Sequence, residues 1–448
     1  MISVELYRAA PHVPPPVPVP VPQSAPPEPA VRRLGRWRLT QIMVCASVVA
    51  LPLLHPAGPG NTGLADLGLL CGMLGAALWA SIRAYRVRLP YAPPVALTVL
   101  AGALAVVVAD PGGPVAGHSL LALVQDIFVF LWAGAVATLG ADRRLLDLFC
   151  KAWAYSTVAW AGVLVLGELA GIDAITGIRA GNGVRAQLTL GDPNLAADYF
   201  IVGLLILRAT RRPRRTGWRW AACAVVVTGV VLTLSNGGIL ALLLATVAGG
   251  LFRLARLRGP AVAVAAAAAV ALASGAAYAT ISGHGWASSA EDGPALLRDS
   301  VGRESESDGS RSTLLREGTA LWLSGTNLLG VGPGNTQETL RARQAAYVKE
   351  AHDDYLAALL ERGPLGELAL VILAASVAVR ARRIARPDGI PASYREVVPR
   401  PELLGAAALA VALSGTFYET LHFRHVWALF GLIAALDLAR HRASGARR

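Results

Sequence analysis

The chain has 448 residues, of which 54% are hydrophobic and only 16% charged, and its formal net charge is +12. A soluble domain averages about 25% charged residues, so a water-soluble globule is excluded. A nucleic-acid-binding surface is excluded as well, because the basic residues sit in short links between apolar runs and not on one face of a soluble domain.

Residues 1–38 include a proline-rich stretch, 11–29, with nothing to pack. The expectation is a disordered, extended tail. It does not resemble a secretory signal, since the first apolar run begins near residue 39 and no small-residue cleavage site follows it. Twelve apolar runs succeed it, at roughly 39–54, 64–84, 94–109, 118–139, 151–170, 193–209, 218–234, 237–252, 259–281, 354–380, 403–421 and 423–440. Runs near 20 residues are membrane-span candidates, and helix is the form that satisfies every backbone group within its own span. The predicted fold class is therefore an all-α polytopic membrane protein of about twelve transmembrane helices. Nine spans lie within 39–281 and three within 354–440, with one large polar loop at 282–353 and a short tail at 441–448.

Arginine and lysine placement sets the expected orientation. With the N-terminus in the cytoplasm, the inner links hold Arg83, Arg86, Arg88, Arg143, Arg144, Lys151, the cluster from Arg208 to Arg219, Arg253 to Arg258, Arg380 to Arg400 and Arg440 to Arg448. The short outer links hold only Arg179, Arg185 and Arg424. Both termini are thus expected to be cytoplasmic, and the 282–353 loop extracytoplasmic. Lys151 and Lys349 are the only lysines, and with abundant alanine this points to a GC-rich bacterial genome. The four cysteines, Cys45, Cys71, Cys150 and Cys223, lack metal-type spacing, so no metal and no cofactor are expected.

Ionisable groups within spans are costly and mark function by default. Asp66, Asp126, Glu168, Asp198, Glu361, Glu367 and Glu419 all fall toward the outer ends of their spans, and Glu402 and Asp437 toward the inner ends. That bias suggests a polar cavity open to the outer face, whereas a transporter needs polarity near the midplane. Snorkelling interfacial side chains are the plainer account of Asp66, Glu168 and Asp198.

The densest candidate chemistry runs from 330 to 366. Gly330, Gly332 and Gly334 with Asn335 suggest a phosphate-cradling turn, or an ordinary tight one, without the Lys-Ser/Thr of a nucleotide loop. His352 opens the tenth span beside Asp353 and Asp354; an imidazole accepts a proton near neutral pH, and a helix N-terminus favours anions. Gly363-Pro364 is expected to break that span, leaving 353–362 as a short interfacial helix. Arg185, Arg311 and Arg316 are outer arginines of the kind that bind phosphate through a planar fork.

Four passages together resemble the bacterial O-antigen ligase and O-antigen polymerase superfamily: GVRAQLTLGDPNLAADY (183–199), LTLSNGG (232–238), RSTLLREGTALWLSGTNLLGVGPGN (311–335) and AHDDYLAALLERGPLG (351–366). The resemblance implies a metal-independent glycosyltransferase. It would move a glycan from an undecaprenyl-diphosphate-linked donor to a hydroxyl of a glycan or glycolipid acceptor, at the outer face of the bacterial cytoplasmic membrane. By motif position, His352 matches the family's essential histidine, and Arg185 and Arg311 match arginines that engage the diphosphate. Asn194, Asn335 and Asp353 fall in the same motifs as substrate-side residues, Asp353 replacing the usual asparagine. Asn236 stands where an arginine is usual, so either that phosphate-binding charge is lost or Arg316 or Arg179 supplies it. A polysaccharide polymerase using lipid-linked repeat units is the alternative within the class. A lipid-linked glycan flippase is the alternative outside it.

Overall fold

A computed structural model describes residues 30–55, 62–109, 114–177, 185–282, 315–323, 328–345 and 353–445, with Thr313 and Val348. These residues are mostly helical, and no strand occurs among them. Twelve of the helices have thirteen residues or more. They are α1 (Ala30–Val49), α2 (Leu64–Ile82), α3 (Ala92–Ala109), α4 (Pro114–Leu139), α5 (Arg143–Leu169), α6 (Pro193–Thr210), α7 (Thr216–Leu232), α8 (Asn236–Arg258), α9 (Pro260–Ser282), α10 (Asp354–Ala385), α11 (Glu402–Ser414) and α12 (Arg424–Gly445). One lies at each predicted span.

Length and composition make five of them candidate membrane spans: α2, most of α4, α5, α8 and α10. The bounds differ from the sequence expectation where charge meets structure. α1 begins at Ala30 and α5 at Arg143, because arginine is a good helix former and continues the apolar run into water. α11 stops at Ser414, well before residue 421, and Gly415 donates its amide back to Val411.

α6 is the hub, buried along almost its whole length against α5, α7, α8 and α11. α1 packs on α2 and α5, while α12 lies on α4 and α10. Small residues set the close approaches. A Cβ added at Gly72 would meet the Trp132 ring at 2.5 Å, and one at Gly140 would strike Ala435. Close packing through small residues is the usual means of joining helices in lipid, where burial of apolar surface gives no drive.

The helix ends gather at two faces. One face holds the starts of α2, α4, α6, α8, α10 and α12, and is here called the loop-rich end. The opposite, arginine-rich end holds the links 83–91, 140–142, 211–215 and 386–401. It is knitted by Tyr394, whose hydroxyl donates to the Ala141 carbonyl at 2.9 Å, and by Arg400, whose amide donates to the Ala209 carbonyl at 3.0 Å. Both the start of α1 and the close of α12 lie there, with Arg83 over the Trp37 ring and Arg442 bonded to the Tyr85 hydroxyl.

α10 is broken as expected. Gly363 sits at φ 65°, ψ −169°, a conformation open to glycine alone, and a Cβ there would collide with the Leu328 carbonyl oxygen. Pro364 has no N–H for the Leu360 carbonyl. Val331 takes that place, donating to Leu360 O at 2.9 Å, and Gly332 donates to Glu361 O at 3.1 Å. The glycine turn is thus hung on carbonyls that the helix break releases. A small apolar cluster of Leu321, Leu340, Leu356, Ala357 and Leu360 seats 315–323 and the short helix Thr336–Ala342 on the first turns of α10.

Candidate functional site

The loop-rich end gathers the polar side chains that the sequence singled out. Arg185 leads the link into α6, next to the 3-10 turn Leu188–Leu190. Its Nε donates to the Thr233 carbonyl at 3.2 Å and its Nη2 to Asn194 Oδ1 at 2.9 Å. Ser235 Oγ donates to the same Asn194 oxygen at 2.8 Å and accepts from Gly238 N at 3.1 Å, capping α8. One guanidinium is therefore held where α6 and α8 begin and α7 ends. Asp192 caps α6, accepting from Asn194 N and Leu195 N. Ser235 was not foreseen as part of the site. Its signal was the small polar residue ahead of an apolar run, the mark of a helix cap.

At the start of α10 the two aspartates divide the work. Asp353 is the N-cap, accepting from Tyr355 N at 2.8 Å and Leu356 N at 2.9 Å. Asp354 is 8% exposed and reaches the α11–α12 link. It accepts from Thr420 N at 2.9 Å, Thr420 Oγ1 at 2.6 Å and Leu421 N at 3.2 Å, while its own amide donates to Gly415 O at 2.8 Å.

That link also joins the two clusters. Phe417 packs against Gly237 at the start of α8. Tyr418 is buried in the link, outside the helices; burial raises its phenol pKa, the Asp198 carboxylate adds to the rise, and Arg185 opposes it. Asp198 and His425 form a second pair that was not foreseen. Nε2 and Oδ2 are 2.9 Å apart, and both residues are almost wholly buried. The Asp198 Oδ1 atom has no hydrogen-bond partner among the described residues.

The glycine turn holds a protein carboxylate. Gly330, Gly332 and Gly334 all have φ between 74° and 96°, and the Gly334 amide and the Thr336 hydroxyl, the latter at 3.1 Å, donate to Glu361. Arg362 completes the knot, 2.7 Å from Asp126 on α4. Asn335 is 1% exposed, and its amide donates to Ser119 Oγ at 2.6 Å and Val331 O at 3.2 Å, leaving only Oδ1 for anything else. Arg316 is exposed on 315–323. His352, Arg311 and Arg179 lie outside the described residues.

An all-helical chain with several bilayer-length apolar helices and a polar face at one end is a multi-pass membrane protein. Residues 221–371, about a third of the chain, match the family described as O-Antigen ligase, so that stretch is similar to the O-antigen ligase superfamily. The matched stretch contains Ser235 and Asp354 but not Arg185, Asp198 or His425. No curated protein matches the chain.

Proposed function

We propose that the protein transfers a glycan from an undecaprenyl-diphosphate carrier to an acceptor hydroxyl at the outer face of the bacterial cytoplasmic membrane. In this reading the chain crosses the membrane about twelve times with both termini inside, and the loop-rich end faces out. The observation that carries it is the Arg185 guanidinium, oriented between Thr233 O and Asn194 Oδ1 at the start of two helices. Helix N-termini favour anions, and a preoriented fork suits a diphosphate leaving group.

His352 is the base that takes the proton of the acceptor hydroxyl as the oxygen attacks the anomeric carbon and the diphosphate departs. A positioned base contributes about 10²–10⁴-fold. A fixed donor aimed at the leaving charge contributes about 10²–10³-fold. The carrier bond supplies the energy, so neither a nucleotide nor a metal enters this scheme. Arg311 and Arg316 add charge from the large loop, with Asn194, Asn335 and Asp353 on the substrate side.

The test is glycan profiling of a deletion strain complemented with wild type, His352→Ala, Arg185→Ala or Arg311→Ala. Each variant is expected to insert normally and fail to restore the polymer. Full rescue by His352→Ala removes the mechanism. Accumulation of long lipid-linked chains in the deletion strain marks a ligase, and accumulation of single repeat units marks a polymerase.

A further inference from the structure

At the arginine-rich end most of the buried chemistry is arginine paired with an acid. Arg212 meets Asp147 at 2.5 Å, Arg256 meets Glu402 at 2.8 Å and Arg380 meets Asp437 at 2.8 Å. Arg88 and Arg442 do not follow this pattern: neither has an acid partner among the described residues. Both instead stack on one tyrosine. The Arg88 guanidinium carbon is 5.8 Å and that of Arg442 is 5.6 Å from the Tyr85 ring centre, and Arg442 Nη1 donates to the Tyr85 hydroxyl at 2.5 Å.

The three residues line a cavity of about 220 Å³ with Leu438 and His441. Water occupies about 30 Å³ per molecule, so the space suits a phosphate group. No carboxylate lines it among the described residues; Asp437 lies outside the lining, 3.8 Å from His441 Nε2. Two guanidinium groups held on an aromatic face and turned to an acid-free hollow are matched to an anion. Exposed Val87 and Leu89, 60% and 43% accessible, flank Arg88 in the chain and offer apolar surface beside the charge. A free anion has no use for such a flank; an acyl chain does.

We propose that the Tyr85–Arg88–Arg442 cavity binds the phosphate of an anionic phospholipid in the leaflet at the arginine-rich end. The site is independent of the glycan-transfer reading, since none of its residues lies at the loop-rich end.

The full-length protein, delipidated in detergent, is titrated with phosphatidylglycerol in mixed micelles while native mass spectrometry counts bound lipid. Phosphatidylcholine and inorganic phosphate form separate arms. Phosphatidylglycerol is expected to bind at least about tenfold more tightly than phosphatidylcholine, and Arg88→Ala/Arg442→Ala to weaken it about 30-fold. Arg382→Ala/Arg386→Ala removes the same charge from the same end and is expected to stay close to wild type. Glycan transfer is expected to be unchanged in all of them. Equal weakening by the two double variants overturns a built site in favour of general charge attraction. Unchanged binding in Arg88→Ala/Arg442→Ala overturns it outright. Inorganic phosphate that saturates the cavity and excludes phosphatidylglycerol reassigns it to a free anion and overturns the lipid. Should the double variant fail to fold, either single arginine variant carries the test, with an expected loss of about fivefold and an unchanged affinity as the overturning result.

Discussion

The two ends of the helix bundle handle buried charge differently. At the arginine-rich end, acids on helices meet arginines across helix boundaries: Asp147 with Arg212, Glu402 with Arg256, Asp437 with Arg380. These pairs bolt α5 to the link after α6, α8 to α11, and α10 to α12. At the loop-rich end the partners are varied. Asp66 takes Arg424, Asp126 takes Arg362, Asp198 takes His425, and Asp354 takes backbone amides and a hydroxyl. The first three join helix to helix, and Asp354 joins the start of α10 to the α11–α12 link; Asp198 Oδ1 has no hydrogen-bond partner among the described residues. Buried polar atoms without partners are rare in folded proteins, and among the described residues they occur at both ends, Arg212 Nε and Asp437 Oδ1 at the arginine-rich end as well as Asp198 Oδ1 at the other. We read the pairs at the arginine-rich end as cohesion between helices and the Arg185 cluster at the loop-rich end as the transfer site proposed above.

Substitutions at each end separate these two purposes. Arg185→Ala is expected to have the largest effect, a loss of about 10² or more in glycan transfer, with thermal unfolding nearly unchanged. Measuring polymer yield and melting temperature in the same membranes checks both halves. Arg185→Lys should recover little, because an ammonium cannot reproduce the fork that meets Thr233 O and Asn194 Oδ1 together. Asp437→Ala is expected to invert the pattern. Removing one partner of a buried pair costs about 3–5 kcal/mol, so detergent-solubilised protein should unfold at lower denaturant, while the folded fraction keeps full transfer.

Asp354→Ala falls between the two ends in character. It frees the Thr420 and Leu421 donors at about 1–3 kcal/mol for each buried group and loosens the start of α10, two residues after His352. Both stability and transfer should fall, and Asp354→Asn, which keeps an acceptor, should restore part of each. Ser235→Ala removes a helix cap worth about 1 kcal/mol, readable as a small shift in the unfolding midpoint. Arg143→Ala is the smallest change. Its pair with Glu396 is 51% and 68% exposed, and such pairs contribute below about 1 kcal/mol.

The helices were legible because the hydropathy of a span is a local property; all twelve runs fall on helices of the fold. The break at Gly363-Pro364 was legible as well, since it follows from proline chemistry, and Arg185 and Asn194, nine residues apart, are brought together by a hydrogen bond. What the sequence hid was pairing over long separation. Asp66 resembled an interfacial side chain because Arg424 lies 358 positions away, and Asp126 looked like a cavity acid because Arg362 is 236 away. The same distance concealed the Asp198–His425 pair. The glycine turn was legible as a turn, yet its ligand, Glu361, becomes visible only when the loop is folded onto α10. Asp353 and Asp354 were read together, and only the side-chain directions assign one to the cap and the other to the clamp.

Pro364 gives the last of these contacts a wider meaning. The carbonyl of Leu360 has room for Val331 only because the residue four places on cannot donate to it. A Pro364→Ala chain regains that amide, and the straightened helix and the loop then compete for one oxygen. Neither segment can be redesigned alone: grafting the loop onto an unbroken helix leaves it without its hook, and mending the helix casts the loop adrift.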